Sequence, residues 1–114
     1  MHIQVNTDAS IQGSESMNEW ATRELNERLA RFRDHITRIE VHLTDVNAAR
    51  SGELDKRCLL EVRLAGRQPI AVTHVADRVS DALLGACARL HNALDATLGK
   101  DREAKRRETI RGAV

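Results

Sequence analysis

The sequence predicts an α+β fold: a two-layer sandwich, in the order β-α-β-β-β-α, in which both helices cover one face of a four-stranded mixed sheet. Two changes in hydrophobic periodicity predict it. Apolar residues recur every three or four positions in residues 17–33 and again in residues 79–98, as on one face of a helix. Between them, apolar and polar residues alternate in residues 38–44, 58–64 and 70–72, as in half-buried strands.

The first two elements are expected to be a strand and a helix. Residues 2–7 alternate between polar and apolar side chains and predict the first strand. Ser16 and Glu19 have the spacing of a capping box, which predicts a helix from about Met17 to Arg33. Because a helix is the usual connection between parallel strands, the first two strands should pair in parallel.

The remaining strands are expected to be joined by hairpins and to run antiparallel. Residues 46–55 carry turn-forming side chains between two alternating segments and predict a hairpin loop. Gly66 marks the next reversal of the chain. Pro69 cannot donate a backbone hydrogen bond, which predicts that the last strand lies at an edge of the sheet or begins there.

The second helix is expected to follow directly. Asp77 or Thr73 is a candidate for its N-cap, and Gly99 for its end. Residues 101–114 hold basic and acidic side chains with almost nothing apolar, which predicts a basic, flexible C-terminal tail. The sequence therefore predicts one domain, residues 1–100, followed by that tail.

The apolar side chains of the predicted strands share one face of the sheet. They are Ile39, Val41, Leu43, Leu60, Val62, Leu64, Ile70 and Val72. Both helices must cover this face, because it is the only apolar one. The opposite face, called the open sheet face below, carries Glu40, His42, Glu61 and Arg63 and should meet solvent or a partner.

Composition argues against several classes of protein. No segment approaches the roughly 20 apolar residues that span a bilayer, so no membrane contact is expected. The two cysteines are far apart in sequence, which favours a cytoplasmic location. Cys58 and Cys87 are in phase with apolar neighbours and should pack inward. His42, His74 and His91 lack metal-ligand spacing, and no phosphate-binding loop or nucleophile motif is present. We therefore predict a protein that is not an enzyme and has no metal and no cofactor.

Nucleic-acid binding is the better supported function. Four arginines gather on the second half of the first helix: Arg23, Arg28, Arg31 and Arg33. The only aromatic side chains, Trp20 and Phe32, belong to the apolar stripe, so contacts should be to phosphates rather than to stacked bases. With a net charge of +1, a solvated charged surface is an equally open alternative. Its ion pairs would join residues four apart, Glu24 with Arg28 and Glu27 with Arg31.

Four segments resemble the ribosome hibernation-promoting factor and ribosome-associated translation inhibitor family: residues 1–6, 28–32, 39–43 and 77–98. Their order and spacing carry the resemblance, which extends through about Lys100. The resemblance implies the β-α-β-β-β-α sandwich. It also implies a factor that occupies the messenger and transfer RNA channel of the small ribosomal subunit and blocks translation under stress or in stationary phase.

The resemblance further implies which residues hold ribosomal RNA. By position they are Arg28, Arg31, Arg89 and Lys100, with Arg102, Lys105, Arg106 and Arg107 in the tail. Asn92 and Ala96 stand where basic residues are expected, and Asp95 adds an acid nearby. These departures imply weaker or altered ribosome affinity.

The chain resembles a short form of the family, without the second domain by which long members pair ribosomes. Whether it pairs ribosomes or inactivates single ones is left open. A second hypothesis is a protein-interaction module of the same fold, with weak or no ribosome binding, that self-associates through the open sheet face. The near-neutral charge and the substitutions at Asn92 and Ala96 favour this second hypothesis.

Overall fold

The computed structural model has the predicted order of elements. It describes residues 1–8, 15–45 and 56–112, with side chains described through Gly99; the predicted hairpin loop at 46–55 lies outside these residues. The elements are β1 His2–Thr7, α1 Glu15–Arg28, a 3₁₀ helix Ala30–Phe32, β2 Ile36–Asp45, β3 Lys56–Leu64, β4 Ile70–Ala76 and α2 Val79–Gly112. The predicted α+β sandwich is therefore confirmed.

The four strands form one mixed sheet in the spatial order β1-β2-β3-β4. β1 and β2 are parallel, as expected for strands joined by a helix, and the other two pairings are antiparallel. β4 lies at an edge, as Pro69 predicted. The register aligns Val41 with both Val5 and Leu60, so apolar side chains of neighbouring strands stack on one face.

The core lies between that face and the two helices. Its largest fully buried side chains are Phe32, Leu25, Leu29, Ile39, Leu43, Leu60, Leu83, Leu90, Leu94, Val41, Val62 and Cys58. The alternation predicted along β2 and β3 is confirmed, because the predicted inward positions of both strands are buried and the residues between them are not. Ile70 and Val72 of β4 are partly buried against the same core.

The first helix differs from the prediction at both ends. It begins at Glu15, so Ser16 lies inside its first turn and the predicted capping box there is wrong. The α-helix ends at Arg28, and the 3₁₀ helix follows. Side chains three residues apart are eclipsed in a 3₁₀ helix, so Leu29 and Phe32 both stay buried. The apolar stripe therefore continues for a turn beyond the α-helix, which explains the overestimate.

The second helix also differs from the prediction. Thr73 lies within β4 and cannot cap a helix that begins at Val79. The predicted end near Gly99 is wrong, since α2 continues to Gly112. Gly66, with φ 71°, is the one glycine of positive φ among the described residues, so Gly99 does not adopt the left-handed conformation of a C-cap. Residues 100–111 are rich in Lys, Arg and Glu, which are strong helix formers.

The 1–100 domain boundary and the flexibility of the tail stay predictions. No helix in the described part of the chain is both long and apolar enough to cross a bilayer.

Candidate nucleic-acid interface

The C-terminal end of α1 and the first half of α2 border a cleft on the helical side of the molecule. It has a volume of about 170 Å³ and is lined by Arg28, Cys87, Ala88 and His91. The cleft therefore places Arg28 of α1 beside the second helix. Arg31, on the 3₁₀ helix that follows α1, contacts the second helix at Asp95.

Arg31 contacts both α2 and its own neighbour Phe32. Its guanidinium donates a hydrogen bond to the Asp95 carboxylate, and its Cζ atom lies 4.7 Å from the centre of the Phe32 ring. The edge of the His91 ring approaches the same phenyl ring, with 5.1 Å between ring centres. Arg31 was predicted to pair with Glu27. That prediction is wrong, because the α-helix ends before residue 31 and the helical spacing to Glu27 is lost.

Arg28 pairs within its own helix. Its Nε atom lies 2.9 Å from Oε2 of Glu24, four residues earlier, as the spacing predicted. The Arg28 side chain is 49% exposed, so a ligand can reach the guanidinium despite the ion pair. Both predicted RNA-binding arginines of the first helical segment are thus partly neutralised by carboxylates of the same chain.

Arg89 lies on the exposed side of α2 and has no ion-pair partner among the described residues. Asn92 and Ala96, where basic residues were expected, are exposed on the same helix. At 3.6 residues per turn, positions 89, 96, 100 and 107 share one side of α2. The extended helix therefore aligns Arg89 with position 100, the last residue of the predicted domain, and with position 107, which the sequence assigned to a tail.

The other predicted basic positions, 102, 105 and 106, also lie within α2. Their spacing of three and four residues places them together on a different side of the helix. The helical backbone thus divides the predicted basic positions between two sides of α2.

Cys58 and Cys87 pack inward, as predicted. Burial raises the pKa of Cys58 to about 12, with a further contribution from the nearby Cys87. Burial also raises the pKa of Cys87 to about 11, although the positive charge of Arg28 partly opposes the shift. Both thiols are therefore protonated and unreactive at neutral pH.

The three histidines that the sequence analysis considered as metal ligands lie in separate environments. His91 borders the cleft, and His74 lies on the helical side of β4, where its ring covers Gly85. His42 lies on the open sheet face between Glu40 and Glu61. The sequence placed these three residues on one face but did not identify them as neighbours. Alternation fixes the face on which a side chain lies, whereas the register of β2 against β3, which sets Glu61 opposite Glu40, comes from the structure.

Comparisons with known proteins place the fold. No protein-family model and no curated protein matches the chain. The structure of a ribosomal subunit interface protein from Coxiella burnetii matches with a TM-score of 0.71 and 21% identity, over 87% of this chain and 99% of that one. The N-terminal domain of Thermus thermophilus Protein Y matches with a TM-score of 0.68 and 18% identity, over 85% of this chain and 99% of that one. The chain therefore shares the fold of these proteins.

Proposed function

We propose that the chain is a ribosome-binding translation inhibitor of the hibernation-promoting factor family. In this proposal it occupies the messenger and transfer RNA channel of the small subunit under stress or in stationary phase and has no catalytic role. The observation that carries the proposal is the fold shared with the Coxiella burnetii ribosomal subunit interface protein over 87% of the chain. The resemblance of four sequence segments to the family supports it independently.

Phosphate groups of ribosomal RNA are the proposed ligands of the helical surface. Guanidinium groups bind phosphate through two parallel hydrogen bonds, and Arg28, Arg31 and Arg89 expose such groups on α1, the 3₁₀ helix and α2. Phe32 is buried and Trp20 is only partly exposed, so neither offers a free face for base stacking. Recognition should therefore depend on the shape and charge of the RNA backbone.

Lys100, Arg102, Lys105, Arg106 and Arg107 are proposed to extend the contacts along the last turns of α2. The helix that carries them rises about 1.5 Å per residue, so the step from residue 89 to residue 107 spans about 27 Å. Several phosphates of one strand lie within such a length. A rigid extension would guide these basic groups to the RNA at a lower entropic cost than a disordered tail.

The test is binding to purified small subunits at two salt concentrations. The variant Arg28→Ala/Arg31→Ala/Arg89→Ala should bind more weakly than the wild type, with a salt slope reduced by about one unit per lost phosphate contact. Three exposed arginines provide a control with the same change in charge: Arg57, Arg63 and Arg78. Replacing these three with alanine should alter affinity far less. Equal losses in both variants would contradict the proposed surface.

Self-association is the second candidate function, and the open sheet face favours it. Val75 is 37% exposed on this face, beside Leu59 and Thr73 of the aligned strands. Sedimentation of the chain with stationary-phase ribosomes separates the two functions. A protein that stays free of ribosomes but forms a dimer that Val75→Lys dissociates would support self-association and contradict the first proposal.

A further inference from the structure

Three potential metal ligands meet on the open sheet face. Alternate residues of a strand point to the same side, so Glu40 and His42 of β2 share this face. The register places Glu61 of β3 directly opposite Glu40. Nε2 of His42 lies 3.6 Å from Oε2 of Glu40 and 3.9 Å from Oε1 of Glu61. One nitrogen and two carboxylate oxygens thus lie within 4.8 Å of one another.

The two carboxylates face each other with like charge. Opposed like charges on neighbouring strands destabilise a sheet unless a cation lies between them. Arg38 forms an ion pair with one of the two carboxylates, since its Nε atom lies 3.0 Å from Oε1 of Glu40. The guanidinium of Arg38 also donates a hydrogen bond to Gln4 on β1, which holds it in place. Glu40 is therefore oriented by Arg38 with its second oxygen, Oε2, directed toward His42.

His42 Nε2 lacks a hydrogen-bond partner among the described residues and is shielded from solvent. A shielded polar nitrogen without a partner is uncommon in folded proteins and requires an explanation. As a neutral imidazole nitrogen it carries a lone pair, which is the group that binds transition metals. Nε2 lies close to both glutamate oxygens, at 3.6 Å from Glu40 and 3.9 Å from Glu61.

We propose that Glu40, His42 and Glu61 bind a divalent transition metal, with Zn²⁺ as the preferred ion. Zinc accepts imidazole nitrogen and carboxylate oxygen at about 2.0 to 2.2 Å, which places tetrahedral ligand atoms roughly 3.4 Å apart. Small side-chain rotations bring the observed separations to this value. Three protein ligands leave the fourth position to water. The imidazole ligand disfavours Mg²⁺ and Ca²⁺, which prefer all-oxygen sites.

Zinc titration of the free, untagged chain tests the proposal, with imidazole nitrogens followed by NMR. The Nε2 signal of His42 should shift to the position of a metal-bound nitrogen at low zinc concentration. His74 and His91 lie on the helical side of the molecule and should respond only at much higher concentration. An unchanged His42 signal in excess zinc would overturn the proposal and assign His42 to ion pairs with the two glutamates.

Glutamine variants provide a second readout that keeps the histidine in place. Glu61→Gln and Glu40→Gln should each weaken zinc binding by about tenfold or more. Glu19→Gln is the matched control, because Glu19 is exposed on α1 and the helices pack on the other side of the sheet. Equal zinc affinity for Glu61→Gln and Glu19→Gln would overturn the site. The ribosome takes no part in these measurements, so their outcome is independent of the proposed function.

Discussion

Asp95 of α2 accepts a hydrogen bond from the Arg31 guanidinium, so one of the proposed RNA-binding groups is already paired with an acidic side chain. Nδ1 of His91 lies 3.4 Å from the other oxygen of the same carboxylate. Asp95 was identified from the sequence only as an acid near the expected RNA surface. The structure shows that it contacts the basic residue itself. A phosphate that bound Arg31 through the same N–H group would therefore compete with Asp95.

We expect Asp95→Asn to strengthen binding to small ribosomal subunits by about twofold to fivefold, or about 0.5 to 1 kcal/mol. The substitution frees Arg31 for phosphate and removes a negative charge that repels RNA. The gain should shrink as salt rises, because exposed charges are screened. Equilibrium binding at two salt concentrations measures both effects, and folding stability should change by less than about 1 kcal/mol.

Asp81→Asn is the matched control for this substitution. Asp81 is exposed in the first turn of α2, about 21 Å along the helix from Asp95. The substitution Asp81→Asn removes the same negative charge as Asp95→Asn, but at a site far from Arg31. If both variants bound equally well, net charge rather than release of Arg31 would explain any gain.

Gly85→Ala should destabilise the fold although alanine is the better helix former. A Cβ atom on Gly85 would overlap the His74 imidazole, whereas one on Gly99 would meet nothing within 4 Å. The helix-propensity gain of about 0.5 to 1 kcal/mol is smaller than the cost of overpacking, about 1 to 3 kcal/mol. Gly99→Ala should therefore stabilise the chain and Gly85→Ala destabilise it, as measured by urea unfolding.

A double-mutant cycle isolates the contact between Gly85 and His74. In a His74→Ala background the imidazole is gone, and Gly85→Ala should then stabilise the chain by about 0.5 to 1 kcal/mol. The change of sign is the informative result. A destabilising Gly85→Ala in both backgrounds would show that another group limits the space at this position.

The order of elements, the sheet face that is buried and the edge position of β4 could all be predicted from the sequence. Each depends on a local pattern: alternation along β2 and β3, a helical period from Val79, and the missing amide hydrogen of Pro69. The ion pair between Glu24 and Arg28, which are four residues apart on one helix, could also be predicted from a local pattern. Local spacing was sufficient for this pair because both partners lie on one helix.

Contacts between elements were the part that local patterns could not predict. Arg31 and Asp95 are 64 residues apart and meet only because α2 packs beside the 3₁₀ helix. Glu61 joins Glu40 through the register of a hairpin. The end of α2 was missed for a different reason: charged residues beyond Gly99 have no apolar face, but high helix propensity continues the helix without one.

The buried thiols should make the chain less stable in alkali. Their pKa values of about 12 for Cys58 and about 11 for Cys87 lie above the ordinary value of 9.0, so the unfolded chain releases these protons first. Their contribution to stability is complete below pH 9 and decreases as pH rises toward 11 and 12, by up to about 1.4 kcal/mol per pH unit for each thiol. Urea unfolding of the wild type and Cys58→Ala at pH 8 and pH 10 measures this. An equal pH dependence in both proteins would contradict it.

Ala96→Lys should strengthen ribosome binding because it fills a gap in a row of basic positions. Ala96 is exposed on the side of α2 that it shares with Arg89 and position 100. A lysine there adds one phosphate contact, so the salt slope of binding to small subunits should steepen by about one unit. Ala71→Lys adds the same charge at an exposed site on the open sheet face and should leave the slope almost unchanged. Ala96→Glu should weaken binding through repulsion of the RNA. If lysine and glutamate at position 96 gave equal affinity, this side of α2 would not face RNA, and the contacts would have to come from Arg28 and Arg31 alone.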